Sequence, residues 1–331
     1  MSIFKQCWRC SLLLTTILLG LNACATDDIP STIEPHGPAA QQIANLWWVL
    51  FGLGTAVFVG VMVFMLFALT QHTKNRFLHK SRAIILGGGV AMPTVVLLIV
   101  YGFTLETLAD LYPPAAAEEI VIEVIGHQYW WEVRYPQHGI ITANEIHIPV
   151  NRPVLLKLGS ADVIHSFWVP ELHGKYDLIP GRTNDFWLQA DEARIYKGIC
   201  AEFCGIQHAK MLFRVVAEPQ DDFEQWLSDQ AQPAASPTTA QAQRGQEIFM
   251  TAECDFCHRI AGTEAQGDLG PDLTHFAGRV TLGSGIADNN RGNLAGWLIN
   301  PQGMKPGNLM PASQLSGAEL QALITYLETL E

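Results

Sequence analysis

The sequence is poor in charged residues, and those that it has are unevenly distributed. Only 16% of its 331 residues are Asp, Glu, Lys or Arg, and residues 35–73 and 83–105 contain none of these four types. Basic residues are scarce beyond Leu105, where 29 acidic residues stand against 14 basic ones. The scarcity of positive charge argues against a nucleic-acid-binding protein, and the long uncharged stretches argue against an ordinary cytosolic enzyme.

Cysteine is also scarce, and the seven cysteines fall into separate groups. Cys7, Cys10 and Cys24 lie near the N-terminus. The other four form two close pairs, Cys200/Cys204 and Cys254/Cys257. Because no cysteine remains for a long-range disulfide, two close pairs in an exported protein indicate cofactor ligands more than cross-links.

The first 24 residues have the features of an export signal. Lys5 and Arg9 precede an apolar run at residues 12–21 that is too short to span a bilayer comfortably. We therefore predict a signal peptide over residues 1–23. The run ends in Leu-Asn-Ala-Cys, which resembles a bacterial lipoprotein cleavage box and predicts that Cys24 is lipidated. Ordinary cleavage nearby is the alternative.

Two uncharged stretches are long enough to cross a membrane. Residues 46–69 and 83–105 can each span about 30 Å of hydrocarbon at about 1.5 Å per helical residue. They predict a transmembrane hairpin over residues 46–105, and the alternative is a pair of buried helices in a large soluble protein. The loop of residues 71–82 carries four basic residues and no acidic one. The positive-inside rule therefore places this loop in the cytoplasm and everything after about residue 106 outside.

From residue 118 onwards the hydrophobic pattern changes to a period of two. Short β-rich runs separated by Pro, Gly and Asn continue to about residue 216, and their spacing favours an antiparallel sandwich or barrel. A helix at residues 221–230 is predicted to close this domain, which we delimit as residues 118–230.

Metal-binding residue types are concentrated near the end of this domain. A short loop contains Cys200, Cys204, His208 and Met211. Thiolates prefer soft metals, imidazole suits copper, and a methionine thioether is a common weak copper ligand. A second imidazole has to come from elsewhere in the chain, and His165 is the best candidate. The loop therefore predicts a copper site.

Several motifs together resemble subunit II of haem–copper cytochrome c oxidase, over about residues 46–230. They are the helical hairpin, the aromatic motif of residues 126–131, the segments 165–170 and 179–182, and the cysteine loop. The resemblance implies a cupredoxin-like antiparallel β-barrel that holds the binuclear copper centre CuA. Oxygen reduction is expected in a partner subunit, because the loop offers no oxygen-binding haem.

The resemblance also implies a role for each residue of the copper loop. Cys200 and Cys204 would bridge both coppers. The remaining ligands would be His165, His208, Met211 and the backbone carbonyl of Glu202. The side chain of Glu202 would also reach a Mg²⁺ at the interface with subunit I, since Mg²⁺ prefers hard oxygen ligands.

The sequence departs from the family pattern at two places. The family often has a tryptophan first in the aromatic cluster, where electrons enter, but here Tyr129 holds that position and is followed by Trp130 and Trp131. The family also often has a carboxylate near the cytoplasmic start of the second helix, whereas residues 82–93 contain none. A role in proton uptake is therefore not carried over to this chain.

A second functional unit follows a linker. Residues 231–242 are rich in Ala, Gln, Pro and Thr and lack hydrophobic periodicity, which predicts a tether.

The next domain, residues 243–331, contains a motif for haem attachment. The motif is the C-x-x-C-H signature of covalent haem c attachment, formed here by Cys254, Cys257 and His258. The two thiols would reach the haem vinyl groups while the imidazole binds iron. A zinc site is the alternative, but no second ligand pair accompanies it.

Iron also needs a ligand on its other side. Met310 resembles the axial methionine of class I cytochromes c, and Met304 and Met250 are the alternatives. Pro271 matches a family loop in which the proline carbonyl accepts a hydrogen bond from the proximal imidazole, so it would orient His258. The resemblance implies an all-α cytochrome c domain.

The whole sequence is therefore interpreted as subunit II of a bacterial haem–copper oxidase with a fused cytochrome c. Electrons would pass from haem c through CuA to subunit I, which reduces oxygen to water and pumps protons. Expected partners are subunits I and III and, as donor, a soluble or membrane cytochrome c or another respiratory complex. The expected location is the bacterial inner membrane, with the soluble domains on the periplasmic side. The alternative is a membrane-anchored CuA/haem c subunit of another complex, such as a nitric oxide reductase.

The charge pattern yields a prediction about topology. A cysteine engineered into residues 71–82 should react with a membrane-impermeant thiol reagent only after the cells are opened, because basic loops are retained in the cytoplasm. A cysteine engineered into residues 231–242 should react in intact cells and serves as the control. Labelling of the basic loop from outside would contradict the predicted orientation.

Overall fold

The computed structural model describes residues 30–70 and 81–331. The predicted signal peptide, the lipidation site Cys24 and residues 71–80 of the basic loop lie outside the described residues.

Two long apolar helical segments come first. Helix α1 covers Pro38–Thr70. The second segment consists of α2 at Ser81–Leu86, a π-helical turn at Gly87–Ala91, and α3 at Met92–Asp110. Both segments are longer than predicted, and nothing in the most apolar window of either is buried. Their exposed apolar surface contradicts the alternative of buried helices in a soluble protein and suits a membrane.

Ten strands form a β-sandwich after the second helical segment. They are β1 Val121–His127, β2 Trp130–Tyr135, β3 Ile140–Ala143, β4 Glu145–Pro149, β5 Val154–Ser160, β6 His165–Trp168, β7 Tyr176–Leu178, β8 Asn184–Leu188, β9 Arg194–Cys200 and β10 Leu212–Glu218. One sheet has the order β3-β2-β1-β5-β8, and the other has the order β4-β10-β9-β6-β7. Most pairs are antiparallel, whereas β1 with β5 and β4 with β10 are parallel. The predicted cupredoxin-like class is confirmed.

Alternating side chains fill the space between the two sheets. In β1 and β10 every second residue is buried, which is the period that the sequence shows. Trp131 and Phe167 pack around Phe213, with ring centroids 5.0 and 4.5 Å from it. Gly198 makes room for this cluster, because a Cβ there would lie 2.1 Å from the Phe213 ring. Helix α4, Gln220–Gln230, closes the sandwich with Phe223 and Leu227 buried.

A helical lobe occupies residues 240–331, which we call the C-terminal lobe. Its elements are α5 Ala240–Thr251, β11 Thr281–Leu282, β12 Ala287–Asp288, α6 Arg291–Ile299, α7 Pro301–Met304 and α8 Gly317–Leu327. Ser316 is the N-cap of helix α8 and forms a capping box with Glu319. The regular secondary structure of the lobe is mainly helical, in agreement with the predicted class, and its sheet has two short strands.

Helices α5 and α8 pack together at Gly245. A Cβ at this position would lie 2.1 Å from the carbonyl oxygen of Ala322 and 2.6 Å from the Tyr326 Cβ. These neighbours include backbone, which cannot move aside without shifting a helix. Gly245 therefore determines how closely the two helices approach.

This contact gives a prediction about stability. Gly245→Ala should destabilise the C-terminal lobe by about 1–3 kcal/mol, because it overpacks a close helix crossing. Gly317→Ala is the matched control, since no atom lies within 4 Å of the added Cβ. Thermal unfolding followed by circular dichroism would measure both. Equal melting temperatures for the two variants would contradict the packing argument.

Candidate metal and haem sites

The candidate copper ligands converge at one end of the sandwich. Strand β9 ends at Cys200, the neighbouring strand β6 begins at His165, and β10 begins directly after Met211. The Cys200 N–H donates to the Met211 carbonyl at 3.0 Å, which closes the loop between them. Cys204 and His208 lie within this loop. The strand pairing therefore brings together residues that are far apart in sequence.

The distances between these side chains suit a compact metal cluster. The Cys200 and Cys204 sulfur atoms lie 3.8 Å apart. The Cys200 sulfur lies 3.9 Å from His165 Nδ1 and 3.3 Å from the Glu202 carbonyl oxygen. The Cys204 sulfur lies 3.9 Å from His208 Nδ1 and 3.7 Å from the Met211 sulfur. Each of the other four predicted ligand atoms therefore lies within 4 Å of one of the two cysteine sulfurs, and the soft sulfur and imidazole donors fit copper.

The cluster is largely shielded from water. His165 and Met211 are fully buried, and the two cysteines are at most 5% exposed. The pKa of Cys200 lies well below that of an ordinary thiol because Cys200 shares a hydrogen bond with Cys204. A lowered pKa favours the thiolate, which is the form that binds metals.

Asp162 fixes the orientation of His165. Its Oδ1 lies 2.8 Å from His165 Nε2, so this nitrogen donates and Nδ1 is left to face Cys200. Burial alone would raise the pKa of Asp162, but hydrogen bonds from His165 and from the Val163 and Gln128 N–H groups hold it below its usual range. The sequence interpretation missed Asp162, although its position three residues before a candidate ligand was a usable signal.

The Glu202 side chain points away from the cysteines. Its carboxylate lies 3.5 Å from the Lys175 ammonium, and both side chains are about half exposed. The Glu202 carbonyl therefore faces the cluster while the carboxylate faces outward. This arrangement is compatible with two separate roles for the residue.

The second candidate site is a cavity of about 790 Å³ that is lined mostly by the C-terminal lobe and partly by the sandwich. Cys254, Cys257, His258 and Met310 all line it. Met250 and Met304, the alternatives to Met310, are not among its lining residues. The cavity thus unites the four residues that the sequence assigns to haem c.

His258 is held by the segment that contains Pro271. Its Nδ1 donates to the Pro271 carbonyl at 2.8 Å, which leaves Nε2 free to act as a ligand. Burial lowers the pKa of His258, so the imidazole stays neutral, as metal binding requires. Gly270 allows the close approach, because a Cβ there would lie 2.8 Å from the imidazole ring.

Unpartnered polar atoms show that the cavity suits an anionic ligand. Arg279 and Thr281 line it, and Arg279 Nε and Thr281 Oγ1 are buried without a hydrogen-bond partner among the described residues. Buried polar atoms without partners are costly and therefore rare. The two carboxylates of a haem would satisfy them, so the residues present fit this group.

The aromatic residues at positions 129–131 lie partly in the sandwich core and partly at the cavity. Trp131 is fully buried in the sandwich core, whereas Tyr129 and Trp130 line the cavity. The β1–β2 turn that carries Tyr129 also contacts the copper loop, because the Gln128 side-chain amide donates to the Cys204 carbonyl at 2.5 Å. A Cβ on Gly205 would lie 2.4 Å from the Tyr129 hydroxyl. One turn therefore touches both candidate sites.

Two family descriptions match consecutive parts of the chain. The family described as "Cytochrome C oxidase subunit II, periplasmic domain" matches residues 138–218. The family described as "Cytochrome c" matches residues 242–331. The order of the two matches is the order of the sandwich and the C-terminal lobe.

Individual relatives match nearly the whole chain. Cytochrome c oxidase subunit 2 of Alkalihalophilus pseudofirmus is 33% identical over 333 residues, which cover 96% of each chain. The protein of the same description from Bacillus subtilis is 31% identical over 358 residues, which cover 98% of each chain. Among solved structures, the periplasmic domain of subunit II of cytochrome oxidase from Bradyrhizobium japonicum is 29% identical. This match covers 35% of the present chain and 95% of that chain, with a TM-score of 0.34.

Proposed function

Because the chain belongs to the cytochrome c oxidase subunit II family, we propose that it relays electrons from a covalently bound haem c to a binuclear CuA centre. The chain is a membrane-anchored component of an oxidoreductase, and its two matching domains imply copper and haem c. When bound, these groups supply one-electron chemistry, by which electrons reach subunit I for the reduction of oxygen to water with proton pumping.

The observation that carries the proposal is the shared turn between β1 and β2. Tyr129 and Trp130 line the haem cavity, and Gln128 donates to the carbonyl of Cys204. Electron transfer requires that donor and acceptor approach closely through packed atoms. The turn supplies such a connection within one chain, so Tyr129 is the residue through which we propose that electrons leave the haem cavity.

The residues around the copper loop hold it in a fixed geometry. Cys200 and Cys204 would bridge the metals as thiolates, with His165, His208, Met211 and the Glu202 carbonyl as the remaining ligands. Asp162 holds His165 in the tautomer that presents Nδ1 to the cluster. A geometry that the protein fixes in advance changes little during reduction, which favours rapid transfer.

The residues around the cavity would anchor the haem on both sides. Cys254 and Cys257 would form the thioether bonds, and His258 and Met310 would be the axial ligands. The Pro271 carbonyl orients His258, and Arg279, which lines the cavity, would neutralise a haem carboxylate. A thioether ligand raises the reduction potential of haem iron.

The assembly around this chain is part of the same proposal. The sandwich and the C-terminal lobe would lie on the outer side of a bacterial plasma membrane, with Cys24 lipidated. Subunit I would contact the copper loop, with subunit III as a further partner, and Glu202 would exchange Lys175 for a Mg²⁺ at that interface. A cytochrome c or another respiratory complex would reduce the haem. The names of the relatives support an oxidase over a nitric oxide reductase.

The copper assignment gives a direct prediction. Cys200→Ser or Cys204→Ser should abolish the near-infrared and EPR signature of a binuclear copper centre, because a serine cannot bridge two soft metals. His138→Ala changes an exposed histidine in the β2–β3 turn and is the control. Retention of the binuclear signal in either serine variant would refute the assignment.

The haem assignment is tested on the axial methionine. Met310→Ala should lower the haem reduction potential and slow oxidase turnover while the copper spectrum stays intact, because the iron loses its thioether ligand. Met304→Ala is the matched control, since Met304 does not line the cavity. Redox titration of the purified complex measures the potential. Unchanged potential and turnover in Met310→Ala would contradict the proposed route.

A further inference from the structure

A buried lysine connects the C-terminal lobe to the sandwich. Lys305 follows α7, is only 2% exposed, and donates from Nζ to the Tyr129 carbonyl at 2.7 Å and to the Gly283 carbonyl at 2.9 Å. No ion pair among the described residues includes Lys305. Because an unpaired buried charge costs free energy, burial lowers the pKa of Lys305 to about 7. Its two carbonyl partners belong to different lobes.

The Lys305 contact lies at the turn that touches both candidate sites. The Tyr129 carbonyl accepts a hydrogen bond from Lys305 of the C-terminal lobe. The Gln128 side-chain amide donates a hydrogen bond to the Cys204 carbonyl of the copper loop. The Gln128 N–H also donates to Asp162 Oδ2 at 2.7 Å, and Asp162 holds His165. A hydrogen-bonded series therefore runs from Lys305 to the copper loop.

A second connection is formed by a buried carboxyl group of the sandwich, which accepts hydrogen bonds from the C-terminal lobe. Glu145, at the start of β4, is 3% exposed and accepts hydrogen bonds from the N–H groups of Val280 at 2.8 Å and Thr281 at 3.1 Å. Nearby, the Arg279 guanidinium donates to Thr142 Oγ1 at 3.3 Å. The sandwich thus supplies a buried carboxyl group to the C-terminal lobe and receives a buried guanidinium group from it.

Backbone groups extend the same junction. The Leu212 N–H donates to the Ser284 carbonyl at 3.0 Å, and the Ser284 hydroxyl donates to the Leu212 carbonyl at 2.7 Å. Leu212 opens β10, directly after Met211. Any other orientation of the lobes would leave Glu145 and Lys305 without these partners, so buried polar groups of this kind select one arrangement.

We propose that the C-terminal lobe is permanently docked on the sandwich in one orientation, and that Lys305 is the positioning residue that fixes the haem cavity against Tyr129. The linker would then be dispensable for contact between the lobes. The consequence of docking for electron transfer rests on the proposed function. The docking itself can be measured whether or not the proposed function is correct.

The first experiment separates docking from tethering. A protease site is inserted between Ala235 and Ser236, which are exposed, and the purified complex is cut there. We expect the C-terminal lobe to remain with the copper-containing fragment in size-exclusion chromatography. Loss of the lobe after cleavage would overturn the proposal.

The second experiment replaces the lysine in the cut complex. Lys305→Met should weaken retention of the lobe more than about tenfold, because it leaves the buried carbonyls of Tyr129 and Gly283 without their hydrogen-bond donor. Lys210→Met is the matched control, since the exposed Lys210 donates to the Met304 carbonyl at 2.9 Å across the same junction. Equal retention in the two variants would overturn the role of Lys305.

A kinetic measurement on the uncut complex completes the test. After photochemical reduction of the haem, the rate of copper reduction should be independent of solvent viscosity in the parent chain and in Lys210→Met. In Lys305→Met it should become slower and viscosity-dependent while both metal spectra stay unchanged. Viscosity dependence in the parent chain would overturn permanent docking. Absence of any transfer between two loaded centres would instead refute the proposed function and leave the retention result standing.

Discussion

The hydrogen bond from the Cys200 N–H to the Met211 carbonyl is the constraint on which the proposed copper site depends. It belongs to the pairing of β9 with β10, in which Leu212 lies opposite Ile199. Since the ends of the loop are held at the spacing of neighbouring strands, the residues between them must turn back on themselves. Cys204 and His208 are thereby brought to Cys200 and Met211, and β6 adds His165 from the other side of β9.

The sequence predicted the candidate ligand residues because their chemistry is carried by residue type and short spacing. The C-x-x-C-H motif and the cysteine loop are each contained within a dozen residues, and the alternating pattern of β1 shows which side chains are buried. Lys305 and Glu145 were not predictable in this way. Their partners lie 176 and 135 residues away, so only the tertiary structure shows that these two side chains are buried.

The linker shows a different limit of sequence interpretation. Its composition predicted a tether, and helix α5 begins at Ala240 with Thr239 as its N-cap. Before that helix, the Ala234 N–H donates to the Ala261 carbonyl at 3.0 Å, and His275 Nε2 lies 3.0 Å from the Gln232 carbonyl. A segment without hydrophobic periodicity can still be held by its backbone groups, because hydrogen bonds to main-chain atoms leave no pattern in the side chains.

The sandwich residues that line the cavity have a consequence for the attachment of haem. Gln128, Tyr129 and Trp130 form part of the lining that Cys254 and Cys257 share. An enzyme that attaches a haem must bring the macrocycle and both thiols together, and a docked sandwich narrows the approach from that side. The order that leaves the cavity most accessible is attachment first and docking second. The contacts that hold the two lobes close together in the finished protein thus favour one order of assembly. In this order, the C-terminal lobe receives its prosthetic group before it docks on the sandwich.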